Sequence, residues 1–413
     1  MNLSNYPITN IETIPSPALL YFRKQIEGNI DEMVQIAGGP KIAPRRLRPH
    51  IKTFKTMGVV ELLRSRGITK FKCATIAEAE MLAAAGITDI LLAYPAVGPN
   101  IDRLVALTQA FPGARIKVLG DNPVVIGELS RAPAAAGSSV EVLVDIDPGL
   151  HRTGVLPEQA PNLVKIIAEA PGTAFGGLHF YDGHNHQRDF EDRLSAARDG
   201  YDAVVALERQ LESAGYEVPR VVMGGTMTFP CYARLGDTEL SPGTCAIHDW
   251  GYSREMPDLP FTPGGLVLGR VVSHPSPPAG SPRRFTLDVG SKAICTDRPG
   301  QRGLILGYES AKPLFQNEEH WVWELPEGTP EDAAEIGASG TAGANADPRG
   351  GNTGAEPQSA APPDLPPIGT ELLIVPEHIC PTTALYDEVV VVGPDGSVEG
   401  SWEITARKRR LGV

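Results

Sequence analysis

The sequence predicts an α/β protein in which a closed (β/α)8 TIM-like barrel is followed by a mostly antiparallel β domain. Over about the first 250 residues, apolar runs typical of short buried strands alternate with helical patterns. Parallel strands require such crossovers, and roughly eight units in this length match a closed barrel. After about residue 264, strand patterns follow one another without long helices, which indicates antiparallel pairing. An open doubly wound sheet is the alternative for the first part.

The barrel is predicted to span residues 16–260. Its eight strand patterns are, in order, KIAPRRLRPHIK, FKCAT, DILLAYP, RIKVLGD, VEVLVDID, FGGLHFY, RVVMGG and TELSPGT. Helical patterns between them are TMGVVELLRSRG, IAEAEMLAAAG, NIDRLVALTQAF, PNLVKIIAEA and a long segment that begins at RDFEDRL. Such alternation favours parallel strands whose C-terminal ends carry the site.

The second domain is predicted to combine residues 1–15 and 261–413. Its strand patterns are GLVLGRVVSHP, RRFTLDVG, GLILGYES, HWVWEL, ELLIVPEH, EVVVVG and GSWEITA, and the early strand PALLYF is expected to pair with them. Residues 326–367 contain eight Pro and seven Gly and no aromatic residue. This composition predicts a disordered surface insertion, because the segment cannot bury enough apolar surface to offset its ordering entropy.

The charge balance argues against a nucleic-acid partner. With 37 Lys plus Arg against 50 Asp plus Glu, the net charge is −13, whereas phosphate neutralisation needs a basic face. No apolar run approaches the roughly 18 residues of a membrane-spanning helix, and the first ten residues lack a signal-peptide pattern. Five cysteines without paired spacing are expected to be reduced. We therefore expect a cytoplasmic protein without a membrane partner.

Lys52 is the first candidate functional residue, because it lies near the end of the first predicted strand. His50 stands two residues before it and would point the same way. A lysine directed into a barrel mouth can be desolvated, which frees its amine for Schiff-base chemistry. The alternative is a surface lysine, as expected for Lys55 nearby.

Two glycine-threonine turns follow the seventh and eighth predicted strands. They contain Gly225-Thr226 and Gly243-Thr244. Barrel enzymes often bind phosphate in these two loops, where glycine lets backbone N–H groups approach an anion and threonine adds a donor. A single turn of this kind is a weak indication, whereas two at the expected loops favour a phosphate site.

Polar residues also follow the fifth and sixth strands. Arg152 could bind a ligand oxygen or pair with Asp145. After the sixth strand, His179, His184 and His186 fall within eight residues. Each could be a general base or a metal ligand, and the alternative for each is a structural residue of a polar loop.

His378 and Cys380 are the candidate metal ligands of the second domain. As residues i and i+2 of a strand, their side chains could face one point. Imidazole and thiolate are good zinc ligands, although catalytic zinc usually has three protein ligands. The alternative is a buried cysteine beside a structural histidine.

Taken together, these stretches resemble the D-threonine aldolase / D-serine dehydratase family, whose fold is alanine-racemase-like (fold type III). The resemblance covers roughly residues 15–410 apart from 326–367. It depends on the order and spacing of eight motifs: SPAL, RPHIKT, ATIAEAE, ILLAYP, RTGV, GLHFYDGH, GGT and EHICPT.

The resemblance implies a homodimer that binds pyridoxal 5'-phosphate. Lys52 matches the lysine that holds this cofactor covalently. The residues Gly225, Thr226, Gly243 and Thr244 match its phosphate-binding turns, and Arg152 and Tyr181 match positions near its ring. His378 and Cys380 match a metal pair, and in this family His-x-Cys is associated with zinc, whereas His-x-Asp is associated with manganese or magnesium.

The resemblance therefore implies a lyase that acts on β-hydroxy D-amino acids. Cys380 favours zinc-dependent dehydration of D-serine-type substrates to a 2-oxo acid and ammonia. The alternative is retro-aldol cleavage to glycine and an aldehyde, with His179, His184 or His186 as the base. Two further candidates are an amino-acid racemase and a non-catalytic cofactor carrier. The metal pair argues against the racemase, and the second domain argues against the carrier.

Overall fold

The computed structural model describes residues 1–276, 281–326 and 364–413. Within these residues, a seven-stranded parallel sheet is combined with a nine-stranded sheet that is mostly antiparallel. The predicted fold class is confirmed. Residues 327–363 of the predicted insertion lie outside the described part of the chain.

The parallel sheet forms the barrel wall. After β1 (Ala18–Phe22), which belongs to the other sheet, the chain contributes seven strands whose order in the sheet follows the sequence: β2 (Lys70–Cys73), β3 (Asp89–Pro95), β4 (Arg115–Gly120), β5 (Val140–Ile146), β6 (Thr173–Phe180), β7 (Val221–Met223) and β8 (Glu239–Leu240). All six neighbouring pairs are parallel. The C-terminal ends of these strands therefore meet at one end of the barrel.

The predicted first strand, residues 41–52, is not continuous. Residues 43–46 form a helical turn, and only two isolated parallel bridges follow, Leu47 with Leu240 and His50 with Lys72. Pro44 favours the first turn of a helix and has no N–H for a ladder. The segment 47–50 nevertheless lies between β8 and β2 and joins the two edges of the parallel sheet, so the barrel is closed by a short irregular segment.

The predicted helices are present, and the structure adds others. In chain order, the helices are α1 (Arg23–Ile36), α2 (Ala43–Arg46), α3 (Met57–Arg64), α4 (Ile76–Ala84), α5 (Pro99–Ala110), α6 (Pro123–Ala135), α7 (Ala160–Glu169), α8 (Phe190–Ser213), α9 (Phe229–Leu235), α10 (Trp250–Glu255) and α11 (Ile379–Thr383). Side chains cap several N-termini. Thr75 accepts a hydrogen bond from the Glu78 amide of α4, and Asp189 accepts two from the first turn of α8. None of the described helices is both long and apolar enough to cross a membrane.

The second sheet contains β1 and eight later strands: β9 (Gly265–Ser273), β10 (Arg284–Leu287), β11 (Gly303–Ile305), β12 (Lys312–Gln316), β13 (Trp321–Glu324), β14 (Glu371–Pro376), β15 (Glu388–Val392) and β16 (Val398–Glu403). β1 pairs antiparallel with β9 and parallel with β15, which confirms the expected pairing of PALLYF. The division of the chain at residues 16 and 260 stays a prediction, although β1 within that range is hydrogen-bonded to the second sheet.

A cluster of charged side chains lies at the N-terminal end of the barrel strands. Arg48 donates hydrogen bonds to Asp89 and to Glu239, each at 2.6 Å, and Lys117 donates to Asp89 at 2.8 Å. The side chains of Arg48 and Lys117 are fully buried. Buried charges persist only when they are paired, so Asp89 and Glu239 compensate the charges of Arg48 and Lys117 at this end of the barrel.

Candidate active site

A cavity of about 400 Å³ lies at the C-terminal end of the barrel strands. It brings together residues that are far apart in the sequence. Its lining includes His50, Lys52, Lys72, Tyr94, Asp145, Arg152, Thr153, His179, Tyr181, Gly225, Thr226, Ser241, Gly243, Thr244 and Tyr252. The site therefore lies at the barrel end that the strand pattern predicts.

Lys52 lies in the single helical turn Ile51–Thr53 that follows the irregular segment 47–50. Its backbone N–H donates to Nδ1 of His50 at 3.4 Å, which helps to fix the turn. Lys52 is half-buried, and both Lys52 and His50 line the cavity, as the sequence predicts. Burial and the positive charge of Lys52 hold the pKa of His50 well below its usual value, so His50 is a neutral part of the wall.

Arg152 and Tyr181 form a second part of the wall. The Arg152 guanidinium carbon lies 4.9 Å from the centre of the Tyr181 ring, a cation–π contact. Burial raises the pKa of Tyr181, so the phenol stays protonated near neutral pH. A side chain at position 225 would place its Cβ 2.7 Å from the Tyr181 ring, so the close approach requires Gly225. Arg152 therefore lies on Tyr181, whereas the carboxylate of Asp145 is bound by other groups.

The two glycine-threonine turns are joined by one hydroxyl. Oγ1 of Thr226 accepts hydrogen bonds from the amides of Gly243 and Thr244, at 3.4 and 3.0 Å. A threonine hydroxyl can accept two hydrogen bonds and donate one, so its proton remains available to a ligand in the cavity. The two turns therefore lie together at the cavity, joined through the Thr226 hydroxyl.

His179 is the only one of the three clustered histidines that lines the cavity. Its Nδ1 lies 2.7 Å from Oδ1 of Asp145, and its Nε2 lies 3.1 Å from Nζ of Lys72. His184 packs beside Gly149 outside the cavity lining, and His186 is exposed. The structure therefore brings His179 into the site and leaves His184, the other predicted catalytic histidine, beside it.

Lys72 lies in the site although no sequence motif indicates it. It is the third residue of β2, is only 3% exposed and lines the cavity. Burial, reinforced by the charge of Lys52, lowers its pKa to about 7. The sequence offers one indication of Lys72, its position near the end of a strand between the apolar residues Phe71 and Cys73. Burying a lysine among apolar residues is costly, so such a lysine often belongs to a functional site.

The predicted metal pair lies at the start of α11 rather than on a strand. His378 is the residue that precedes the helix, and Cys380 is its second residue, yet the two side chains interact, and the charge of each favours the ionised form of the other. Sγ of Cys380 lies 3.2 Å from Oγ1 of Thr53 and 3.4 Å from Oγ1 of Thr244. Burial opposes ionisation of the Cys380 thiol, but His378 and Lys52 outweigh it and lower its pKa. The pair therefore adjoins the cavity wall next to Lys52.

Two further candidate ligands lie beside His378. Oδ2 of Asp297 lies 2.7 Å from Nδ1 of His378, and one potential ligand atom each from Cys295, Asp297 and His378 lie within 4.8 Å of one another. A carboxylate on the second ring nitrogen commonly orients a metal-binding histidine. The sequence does not indicate Asp297, because 81 residues separate it from His378.

Comparison with known proteins places these features in context. Residues 23–248 match the family model described as "Alanine racemase, N-terminal domain", and residues 350–392 match one described as "Putative serine dehydratase domain". The chain is 30% identical to a D-threonine aldolase of Arthrobacter sp over 97% of this chain and 94% of that protein. It is 28% identical to a D-threo-3-hydroxyaspartate dehydratase of Delftia sp. (strain HT23), over 95% and 97%. The crystal structure of D-threonine aldolase from Filomicrobium marinum is similar with a TM-score of 0.79 and 28% identity, covering 98% of this chain and 99% of that one.

Proposed function

Because the chain belongs to the family of the alanine racemase N-terminal domain, we propose that it is a pyridoxal-phosphate- and zinc-dependent lyase that acts on β-hydroxy D-amino acids. The similar Arthrobacter and Delftia proteins are named for D-threonine and D-threo-3-hydroxyaspartate, which both carry a hydroxyl on the β carbon. The observation that carries the proposal is the single cavity lined by Lys52, Arg152, Tyr181 and both glycine-threonine turns.

The charges of the cavity fit pyridoxal phosphate. Three basic side chains, Lys52, Lys72 and Arg152, face it, and Asp145 is the only carboxylate among its described lining residues. Such an excess of positive charge suits a ligand with a phosphate and an ionisable ring hydroxyl. Lys52 would hold the cofactor covalently, while Thr226 and the two turns would bind its phosphate. When bound, the cofactor supplies a ring that accepts the electrons of a bond broken at Cα of the amino acid.

The donor set beside the cavity fits a metal ion. His378 and Cys380 would hold it, with Asp297 orienting the imidazole of His378 through Nδ1. A thiolate ligand favours zinc over manganese or magnesium. When bound, zinc would act as a Lewis acid on the β-hydroxyl of the substrate. Cys380 contacts Thr53, the residue after Lys52, so this pair adjoins the lysine.

In the proposed dehydration, the substrate amine would take the place of Lys52 on the cofactor, and the freed Lys52 amine would take the proton from Cα of the D-amino acid. The β-hydroxyl would then leave as water, and addition of water to the unsaturated product of D-serine would yield pyruvate and ammonia. Arg152 would bind an anionic oxygen at the ring side of the cavity, and Tyr181 would keep the guanidinium in place through their cation–π contact. The Cys380 thiol is the feature of this chain that favours dehydration.

Retro-aldol cleavage is the second candidate, because the Arthrobacter and Filomicrobium relatives are named D-threonine aldolases. It requires a base for the proton of the β-hydroxyl. Among the three clustered histidines, His179 is favoured, because it lines the cavity, whereas His184 does not. Both nitrogens of His179 have partners, so it would act together with Lys72.

The proposal is tested by assaying the zinc- and pyridoxal-phosphate-loaded protein on D-threonine, D-serine and their L enantiomers. We expect turnover of the D enantiomers and loss of detectable turnover in Lys52→Ala. Lys41→Ala, a change at an exposed lysine outside the site, is the matched control and should be unaffected. Full turnover by Lys52→Ala, or by protein freed of metal with a chelator, would contradict the assigned roles.

A further inference from the structure

Lys72 is a buried amine for which the dehydration proposed above has no defined role. Its Nζ lies 3.1 Å from Nε2 of His179 and 5.8 Å from the centre of the Tyr181 ring. The residue is 3% exposed and faces the same cavity as Lys52. The Lys72 amine would therefore contact a ligand bound in this cavity.

His179 and Asp145 hold the Lys72 amine in place. Asp145 accepts from Nδ1 of His179 through Oδ1 and from Thr153 through Oδ2, at 2.7 and 2.8 Å. With its Nδ1 proton donated to Asp145, neutral His179 presents Nε2 as an acceptor. Nε2 is the nitrogen that Lys72 approaches, so Lys72 donates one hydrogen bond to it and keeps its remaining N–H groups for a ligand.

The groups around Lys72 disfavour its ammonium form when no anion is present. Burial and then the cations Lys52, Arg152 and Arg48 act against its positive charge, whereas Asp145 favours it. The neighbouring side chains of His50, His179 and Tyr181 are neutral near pH 7, because burial lowers the pKa of both histidines and raises that of the tyrosine. An anionic ligand in the cavity would reverse this balance, because an opposite charge nearby favours the protonated amine.

We propose that Lys72 binds an anionic oxygen of the cofactor, either of its phosphate or of its ring hydroxyl, and that Lys72 takes up a proton when the cofactor enters. The proposal deepens the proposed function and depends on it. In the absence of ligand, burial lowers the pKa of Lys72 to about 7, so roughly nine-tenths of these amines are neutral at pH 8. The bound oxyanion then stabilises the ammonium, which remains hydrogen-bonded to His179.

The test is calorimetric titration of the cofactor-free full chain with pyridoxal phosphate in buffers of different ionisation enthalpy, which reports protons taken up on binding. Wild type should take up about one proton more per site than Lys72→Met at pH 8, and this difference should vanish near pH 5.5. Lys72→Arg keeps the positive charge at every pH, so it should also lack the extra proton. Lys70→Met changes a lysine of the same strand that pairs with Glu239 outside the cavity lining, and it should behave as wild type.

The outcomes distinguish a failure of the proposed lyase function from a failure of the role proposed for Lys72. Failure of wild type to bind pyridoxal phosphate would overturn the proposed function itself. Binding with equal proton uptake by wild type, Lys72→Met and Lys72→Arg would overturn the role of Lys72 and leave the lyase standing. If Lys72→Met does not fold, the arginine variant gives the same comparison. Parallel titrations with inorganic phosphate and with pyridoxal, which lacks phosphate, then identify which oxygen Lys72 binds.

Discussion

Removing the carboxylate of Asp89 should destabilise the barrel far more than removing an exposed carboxylate. Asp89 binds Nη1 of Arg48 at 2.6 Å and Nζ of Lys117 at 2.8 Å. Both cationic side chains are fully buried, so Asp89→Ala leaves Lys117 without its hydrogen-bonded carboxylate and leaves Arg48 with Glu239 as its remaining carboxylate. Breaking a buried ion pair typically costs about 3–5 kcal/mol. We expect Asp89→Ala to lower the free energy of unfolding by this amount.

The matched control is Asp237→Ala. Asp237 is 60% exposed and its nearer partner Arg45 is 61% exposed. The buried Arg46 lies 3.6 Å from Asp237 but also donates to the carbonyls of Ala37, Tyr232 and Ala233, so it keeps partners in the variant. Exposed pairs contribute about 0–1 kcal/mol. Urea unfolding of the cofactor-free variants, followed by circular dichroism, measures both changes. Adding Lys117→Met to Asp89→Ala should recover part of the loss, because the unpaired Lys117 ammonium is then removed.

A loss in Asp89→Ala that lies within about 1 kcal/mol of the loss in Asp237→Ala would refute this reasoning. It would mean that water or chain rearrangement compensates Arg48 and Lys117 without the carboxylate. Cofactor binding should survive in Asp89→Ala, because Asp89 is not among the residues that line the cavity.

Two other predictions concern the site. Between pH 7 and 10.5 the unfolded chain keeps a proton on Lys72 that the cofactor-free folded protein has lost, so Lys72 makes stability rise with pH in this window. Lys72→Met should therefore stabilise the cofactor-free protein at pH 6, by at most about 5 kcal/mol, and have little effect near pH 10.5; a pH-independent difference in urea unfolding would contradict this. Cys380→Asp should shift metal preference from zinc toward manganese by about tenfold or more, measured as metal content after dialysis against an equimolar mixture. An unchanged ratio would mean that Cys380 is not a ligand.

The alternation of strands and helices was readable from the sequence because each buried strand carries an apolar run and each crossover has a helical period. The irregular form of the first barrel strand is harder to predict from the sequence. Its backbone groups are paired by two neighbours that are distant in sequence, β2 and β8, and this pairing does not require a regular strand of its own. Helix α6 is not indicated by the sequence, since Pro133 and several alanines weaken its helical pattern.

The site was predictable where chemistry follows a motif. Lys52 and the two glycine-threonine turns stand at the ends of strands, and that position alone brings them to one cavity. Lys72 and Asp297 have no such motif. Their importance depends on His179 and His378, partners that lie 107 and 81 residues away, and local patterns do not report such pairings.

The most direct test of the account is product analysis by mass spectrometry after the zinc- and pyridoxal-phosphate-loaded protein is incubated with D-threonine. This substrate can follow either of the two reactions. We expect 2-oxobutyrate and ammonia in equal amounts, the products of dehydration. Glycine and acetaldehyde as the main products would contradict dehydration and the inference that Cys380 favours it. No turnover of any β-hydroxy D-amino acid would contradict the proposed lyase activity itself.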